Sequence, residues 1–298
     1  MFPLSYPIRY IDPVYRPPSE ADSLILPLTD GCSWNRCTFC EMYTSKPFRA
    51  RDEAETLDSI RACGERYGND IRRIFLADGD ALMLPTRRLL NALNAIREHL
   101  PAVRRVSSYC LPRNLRKKSV DELKELAAAG LKLVYVGAES GDDEVLARVD
   151  KGETFESTRD ALLKLGEAGI GRSVMILNGL GGRALWPQHA ENSARLLNVT
   201  QPEYLATLVV SFPLGEERLR AGFAGWEPLS QHELFVEMER FLSGLELKRT
   251  VFRSDHASNW LILKGTLGAD KERLLEQVRA AIAHPEDARL RPAWARGL

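Results

Sequence analysis

Three cysteines, Cys32, Cys37 and Cys40, fall inside the stretch Thr29-Asp-Gly-Cys-Ser-Trp-Asn-Arg-Cys-Thr-Phe-Cys-Glu-Met-Tyr43. Their spacing is Cys-x4-Cys-x2-Cys. Thiolates packed this closely suit zinc or the iron of an iron–sulfur cluster. A structural zinc takes four protein ligands, and an iron–sulfur cluster normally takes four thiolates. Three on one loop leave a coordination position open, which is a reactive arrangement. Three readings stand side by side: an open iron–sulfur cluster, a zinc site with a distant fourth ligand, and buried structural cysteines without metal. Cys63 and Cys110 read as reduced core thiols. Cys110 ends a strand, so a role on the substrate side stays open for it.

Polar and glycine-rich residues follow other apolar runs, at Asp78-Gly79-Asp80, Glu139-Ser140-Gly141 and Asn178 to Gly182. Taken alone, Asp78 or Asp80 reads first as the cap of a following turn. Glu139 ends an apolar strand, where an unpartnered carboxylate is costly. It needs an arginine or a ligand donor, and the ligand is the preferred reading. Gly179 to Gly182 lacks the Lys-Ser/Thr pair of a nucleotide-triphosphate loop. It reads as a turn that lets a ligand approach closely. His256, in Asp-His-Ala-Ser-Asn, is either a substrate contact or an ordinary hydrogen-bonded histidine. Tyr43 and Arg49 flank the cysteine loop.

The elements that must position these groups are short apolar strands alternating with amphipathic helices. Strands are expected at 24–28, 73–77, 105–109, 131–137, 173–177 and 204–210. Helices are expected at 51–67, 86–99 with Thr86 as cap, 119–130 with Ser119 as cap, near 142, at 157–168 and at 188–197. Six strand–helix alternations without hairpin signals argue for parallel strands joined by right-handed crossovers. In such sheets the carboxyl ends of the strands carry the chemistry. The expected fold is α/β, a partial (β/α)6 TIM-type barrel with a C-terminal helical and extended cap. Residues 1–22 read as an extended arm, 23–213 as the core domain and 214–298 as the extension. Within the extension, 215–226 reads as a crossover segment, 230–242 and 270–282 as helices, and the tail from Pro285 as a mobile end.

The chain of 298 residues balances 41 basic against 41 acidic side chains. That balance gives no nucleic-acid footprint. No basic-then-apolar leader and no run of about 18 apolar residues is present, so neither a signal peptide nor a membrane helix is expected. Five cysteines do not make a disulfide framework in such a chain. A reducing cytoplasm is the expected location.

The cysteine stretch after strand one resembles the cluster loop of the radical SAM enzymes. Their usual spacing is Cys-x3-Cys-x2-Cys, and this chain has one residue more between Cys32 and Cys37. Phe39 stands where the family has an aromatic residue before the third cysteine. The resemblance covers roughly residues 23–213, with a core similar to that of coproporphyrinogen-oxidase-like members. It implies a 4Fe-4S cluster on Cys32, Cys37 and Cys40, with S-adenosylmethionine (SAM) chelating the remaining iron. It implies SAM contacts at Asp78, Gly79 and Asp80, which take the place of the family's Gly-Gly-Glu-like motif, and at Glu139 with Ser140. Ser107, Ser108, Arg172, Ser173 and Asn178 are implied more weakly. The implied activity is reductive cleavage of SAM to a 5′-deoxyadenosyl radical that takes hydrogen from a substrate. The implied partners are a small-molecule or otherwise unidentified substrate and a reductant such as flavodoxin or ferredoxin. Two rivals remain: an iron–sulfur electron-transfer oxidoreductase without SAM chemistry, and a zinc-stabilised binding module.

Overall fold

The structure is a computed structural model that describes residues 6–297. The first five residues of the expected N-terminal arm and the last residue of the extension lie outside that range. In chain order the elements are β1 (Leu24–Pro27), β2 (Thr29–Asp30), β3 (Arg49–Ala50), α1 (Glu53–Tyr67), β4 (Arg73–Ala77), α2 (Thr86–His99), β5 (Arg105–Tyr109), α3 (Val120–Ala129) and β6 (Leu131–Glu139). There follow α4 (Asp143–Arg148), α5 (Phe155–Glu167), β7 (Gly171–Asn178), α6 (Gly182–Thr200), β8 (Tyr204–Val209), α7 (Glu217–Gly222), α8 (Gln231–Gly244), β9 (Val251–Ser254), β10 (Leu263–Thr266) and α9 (Lys271–Ala283). The main sheet runs in the order β1-β4-β5-β6-β7-β8-β9-β10, and β2 pairs with β3 apart from it. The fold is α/β with a mostly parallel sheet, and no closed barrel is seen among the described residues.

The chain divides into two compact units. One comprises residues 6–35, 42–136 and 164–171, and the other comprises 36–41, 137–163 and 172–297. In the first unit, β1 and β4 pair in parallel with Leu26 opposite Leu76, and β4 pairs with β5 with Ile74 opposite Val106. The run Arg-Ile-Phe-Leu-Ala of β4 is buried from its second residue on. Near-continuous apolar sequence of this kind marks a strand covered on both faces. Helices α1 and α2 lie side by side, as do α2 and α3. The apolar face of α2 buries Leu89, Leu93 and Ile96. Ser119 caps α3 in a reciprocal box, accepting from Glu122 N at 3.1 Å while Glu122 accepts from Ser119 N at 2.8 Å. The arm is tied down: Tyr10 donates to Ile25 O at 2.8 Å, and Arg51 donates to Arg9 O at 2.6 Å.

In the second unit, β7 pairs with β8 and β8 with β9, both in parallel, while β10 runs antiparallel to β9. Val145, Val149, Leu177, Leu180, Leu219, Phe223 and Trp226 form a buried cluster, with Phe39 packed against it. The segment expected as a bare crossover at 215–226 holds α7 and two of these anchors, Phe223 and Trp226.

Four expectations need correction. Thr86 does not cap α2; it is the first helical residue, and Pro85 stands at the cap position. Helix α6 begins at Gly182, six residues before the expected start, with Pro187 inside it. Pro187 lies past the first turn, where proline removes an N–H that would otherwise bond the carbonyl four residues back. The parallel pattern does not stop at strand six, because β9 continues it and β10 turns back on β9. The tail is held rather than mobile: Arg291 donates to Asn259 O at 2.9 Å, and Arg296 donates to Ser258 O at 2.7 Å.

Candidate cluster and cofactor site

The first cysteine sits in the first unit, on a turn that only glycine allows. Gly31 has φ +71°, and a Cβ there would lie 2.7 Å from Lys46 O. The residues after β4 grip this turn. Gly31 N donates to Asp78 Oδ2 at 3.0 Å, Gly79 N donates to Gly31 O at 3.0 Å, and Ser33 N donates to Asp80 Oδ1 at 3.1 Å. The Ser33 hydroxyl also bonds Asp80, and Asn114 Nδ2 donates to it at 3.4 Å. Gly79 packs so closely that an added Cβ would meet Cys32 Cβ, Gly31 O and Tyr43 Cε2, each at 3.0 Å. Asp78-Gly79-Asp80 therefore shapes the backbone around Cys32, and Asp80 makes no side-chain cap to the short 3-10 turn that follows it.

Burial pushes the Asp80 carboxyl up to about 6, against the hydrogen bonds from Ser33 and Asn114. Asp78 forms a buried ion pair with Lys46, whose ammonium also donates to Pro13 O at 3.0 Å. Asp78 Oδ1 and the Tyr43 hydroxyl are buried with no hydrogen-bond partner among the described residues. Ser108 spends its hydroxyl on Leu76 O at 2.9 Å and Ser107 on Ile74 O at 3.4 Å, which ties β5 to β4. Arg49 pairs with Asp30 at 2.8 Å. Cys63 is buried on α1 with its thiol pushed up to about 11 by burial. Cys110 is buried and directs its sulfur to Leu111 O at 3.4 Å. Both have the character of core thiols.

Cys37 and Cys40 belong to the second unit, where residues 36–41 are fastened to the loop after α4. Thr38 N donates to Val149 O at 2.9 Å, and Arg36 pairs with Asp150 at 3.0 Å. Arg218 donates to Cys40 O. Glu139 closes β6 in a left-handed conformation, φ +66°. That conformation costs a non-glycine residue on the order of 1 kcal/mol, and such strain persists only where surrounding structure enforces it. Here the carboxylate folds back beside Gly137, where a Cβ would stand 2.0 Å from Glu139 Oε1. Lys151 Nζ bonds that same oxygen at 3.1 Å, while Oε2 is buried without a partner among the described residues. The expected partner of Glu139 is thus a lysine on one oxygen, and the other oxygen still lacks a donor.

Beside Glu139 lies a second polar cluster, in which the sequence reading named Ser140 and Asn178 but missed His189 and Glu237. Ser140 Oγ meets His189 Nδ1 at 2.8 Å and accepts from Asp142 N at 3.0 Å. Asn178 Nδ2 and Gly179 N donate to Glu237 Oε2 at 3.3 and 2.8 Å. Glu237 is 0 % exposed, and burial raises its carboxyl to about 8. Burial lowers His189 to about 4, so it stands as a neutral ring. Asn178 Oδ1 is another buried acceptor with no donor among the described residues. Glu237 gave no sequence signal: it sits on the amphipathic helix α8 among Leu234, Phe235 and Met238, at a position whose polarity reads as an edge.

Two groups are engaged otherwise than expected. Arg172 lies at the start of β7, the opposite end from Asn178. It is fully engaged there, with Glu203 at 2.8 Å and with the carbonyls of Leu162 and Thr200 at 3.1 and 2.8 Å. It is a fastener between β7 and β8. Gly179 to Gly182 makes room for protein rather than ligand: a Cβ on Gly182 would stand 2.7 Å from Trp226 Cδ1. His256 takes its ordinary reading, bonded to Ser258 Oγ at 3.0 Å in a local turn. Its neighbour Asn259 donates to Thr207 O at 2.8 Å and accepts from Val209 N at 2.9 Å, completing the edge of β8. Beyond β7 and β8 lies a cavity of about 180 Å³ lined by Gly179, Val210, Phe212, Trp226, Leu229 and Leu234.

The donor set fits the implied cofactors. Thiolates are cluster ligands, and each unit holds buried acceptors with no donor among the described residues: Asp78 Oδ1 in the first, Glu139 Oε2 and Asn178 Oδ1 in the second. SAM offers an ammonium and two ribose hydroxyls, which are donors. Buried acceptors are seldom left unpaired in a folded protein.

The family described as the radical SAM superfamily matches residues 26–195. A 4′-phospho-dehydrooxetanocin synthase of Priestia megaterium is 27 % identical over 165 residues, covering 50 % of this chain and 22 % of that protein. The chain thus spans less than a quarter of that relative's length. Among solved structures, coproporphyrinogen III oxidase of Escherichia coli aligns with TM-score 0.56 at 15 % identity over 74 % of this chain and 52 % of the other. Methylornithine synthase aligns with TM-score 0.52 at 15 % identity over 91 % and 74 %. At that identity these structures share the fold alone with this chain. No helix among the described residues is long and apolar enough to cross a membrane.

Proposed function

The chain belongs to the radical SAM superfamily, and from that premise we propose that it is an enzyme abstracting hydrogen from a small-molecule substrate. Its cofactors are those of the family, a 4Fe-4S cluster and SAM. When bound, they supply a 5′-deoxyadenosyl radical from one-electron cleavage of SAM, chemistry that belongs to the cofactors and not to side chains.

The residues then have distinct tasks. Cys32, Cys37 and Cys40 hold the cluster. Asp78, Glu139 and Asn178 each present a buried acceptor to the ammonium or ribose hydroxyls of SAM, with Gly79 allowing close approach beside Cys32. Asp80 holds the Ser33 backbone, and Ser140 fixes the turn after Glu139 by bonding His189 and Asp142 N. Ser108 acts through β4, not on SAM. We assign this chemistry to a core of residues 23–213, flanked by the 1–22 arm and the 214–298 extension. A reductant of the flavodoxin or ferredoxin kind supplies the electron.

The observation that carries the reading is the cysteine loop itself, entered from β1 and stitched at Cys32 to the residues after β4. Anaerobic reconstitution with iron and sulfide tests it. The loaded protein is expected to release 5′-deoxyadenosine from SAM and dithionite, and alanine at any one of the three cysteines is expected to abolish that release. A fully loaded wild-type cluster that leaves SAM intact would overturn the proposal.

A further inference from the structure

Lys151 is the buried cation of the second unit that no part of the sequence reading used. It is 4 % exposed. Its ammonium lies 3.1 Å from Glu139 Oε1 and 5.8 Å from the centre of the Phe39 ring, and Phe39 stands between Cys37 and Cys40. The backbone fixes this neighbourhood. Lys151 N donates to Leu146 O at 3.0 Å, Thr38 N donates to Val149 O at 2.9 Å, and Asp150 pairs with Arg36 at 3.0 Å. The lysine and the cysteine loop are therefore held by the same short set of bonds. The ammonium thus meets the Glu139 carboxylate on one side and, on the other, the ring that stands between Cys37 and Cys40.

We propose that Lys151 is a positioning and charge-setting residue for the cluster, a fixed cation that favours its reduced state and holds Glu139 Oε1 so that Oε2 is left for SAM. The proposal rests on reading Cys37 and Cys40 as cluster ligands. Reduction adds one electron from the donor and no proton, so the cluster gains one negative charge. A cation fixed nearby lowers the cost of that charge, and the surroundings of a cluster set its potential in this way. One charge at several ångströms in a partly screened interior is expected to matter by about tenfold in the reduced fraction at a fixed donor potential. For one electron that is about 59 mV.

The test uses the full chain, reconstituted anaerobically, as wild type, Lys151→Arg, Lys151→Met, Glu139→Gln and the double variant Lys151→Met/Glu139→Gln. Iron content, thermal midpoint and an EPR-monitored redox titration are read on each. Lys151→Met is expected to load iron, to lose stability and to shift the midpoint potential negative by about that amount. Lys151→Arg should stay near wild type. The double variant removes the unpaired carboxylate, so stability should return, and its potential should lie below that of Glu139→Gln by about that amount. If Lys151→Met does not fold, the double variant carries the measurement. A wild-type potential in iron-loaded Lys151→Met, or equal potentials in Glu139→Gln and the double variant, would show that Lys151 only neutralises Glu139. A wild type that takes up no iron would instead sink the parent reading.

Discussion

Replacing Glu237 with glutamine should change how stability depends on pH, and the structure sets the size. The Glu237 carboxyl is wholly buried and accepts two hydrogen bonds, from Gly179 N and Asn178 Nδ2. Its facing titratable neighbour is His189 on α6, 4.0 Å away and neutral. Burial raises the carboxyl from 4.5 to about 8. A raised folded-state value means that the folded protein binds the proton more tightly than the unfolded chain. The stabilisation is thus complete below pH 4.5 and is lost as pH rises through 8. At 1.36 kcal/mol per pH unit, the decline over that window is on the order of 5 kcal/mol. Glutamine keeps the shape and an acceptor for Gly179 but cannot ionise. Thermal and urea unfolding of both proteins at pH 5, 7 and 9 should give similar stability at pH 5. At pH 9 the variant should be the more stable by several kcal/mol. Parallel stability curves across that range would refute the argument, because the carboxyl would then be ionised or solvated in the folded state.

Two further perturbations separate backbone shaping from fastening. Gly79→Ala adds a methyl with three neighbours at 3.0 Å, one of them Cys32 Cβ. Overpacking of this kind costs about 1–3 kcal/mol, and iron uptake after reconstitution should fall; normal uptake with an unchanged melting temperature would show that the turn yields freely. Arg172→Met should destabilise the fold by about 2 kcal/mol, since it frees buried carbonyls at the foot of β7. SAM affinity measured by equilibrium dialysis should be unchanged, and a loss of affinity at wild-type stability would return Arg172 to the cofactor site.

Local signals made the first six strands of the main sheet legible in the sequence. Arg73–Ala77 and Arg105–Tyr109 are apolar runs with clear ends, and Ser119 with Glu122 marks the start of α3. Thr86 misled because threonine before an apolar helix resembles a cap, whereas Pro85 had already set the entry. The glycines at 179–182 misled for a different reason. A glycine run shows that something approaches closely, and only tertiary structure shows that the visitor is Trp226. Arg172 shows the same limit, because a strand's two ends carry equal polarity and the sequence does not say which partner will face a guanidinium. The tail was invisible because Arg291 and Arg296 bind carbonyls, which have no sequence signature.

The two lysine–carboxylate pairs support the proposal that these carboxylates are kept for a ligand. Lys46 with Asp78 in the first unit and Lys151 with Glu139 in the second are each almost wholly buried. Burying an ion pair gains little over packing apolar side chains of the same volume. Stability alone therefore gives no reason for either pair, and less for leaving one oxygen of each acid without a donor. Asp78 follows β4 and Glu139 closes β6; each lysine engages one oxygen, and the other accepts no hydrogen bond among the described residues, although the Asp78 carboxylate also acts on the Tyr43 hydroxyl. On the proposed function, the lysine offsets the cost of the charge and the remaining oxygen is the acceptor offered to SAM. Such an arrangement stabilises an incoming ammonium or hydroxyl more than it stabilises the empty fold.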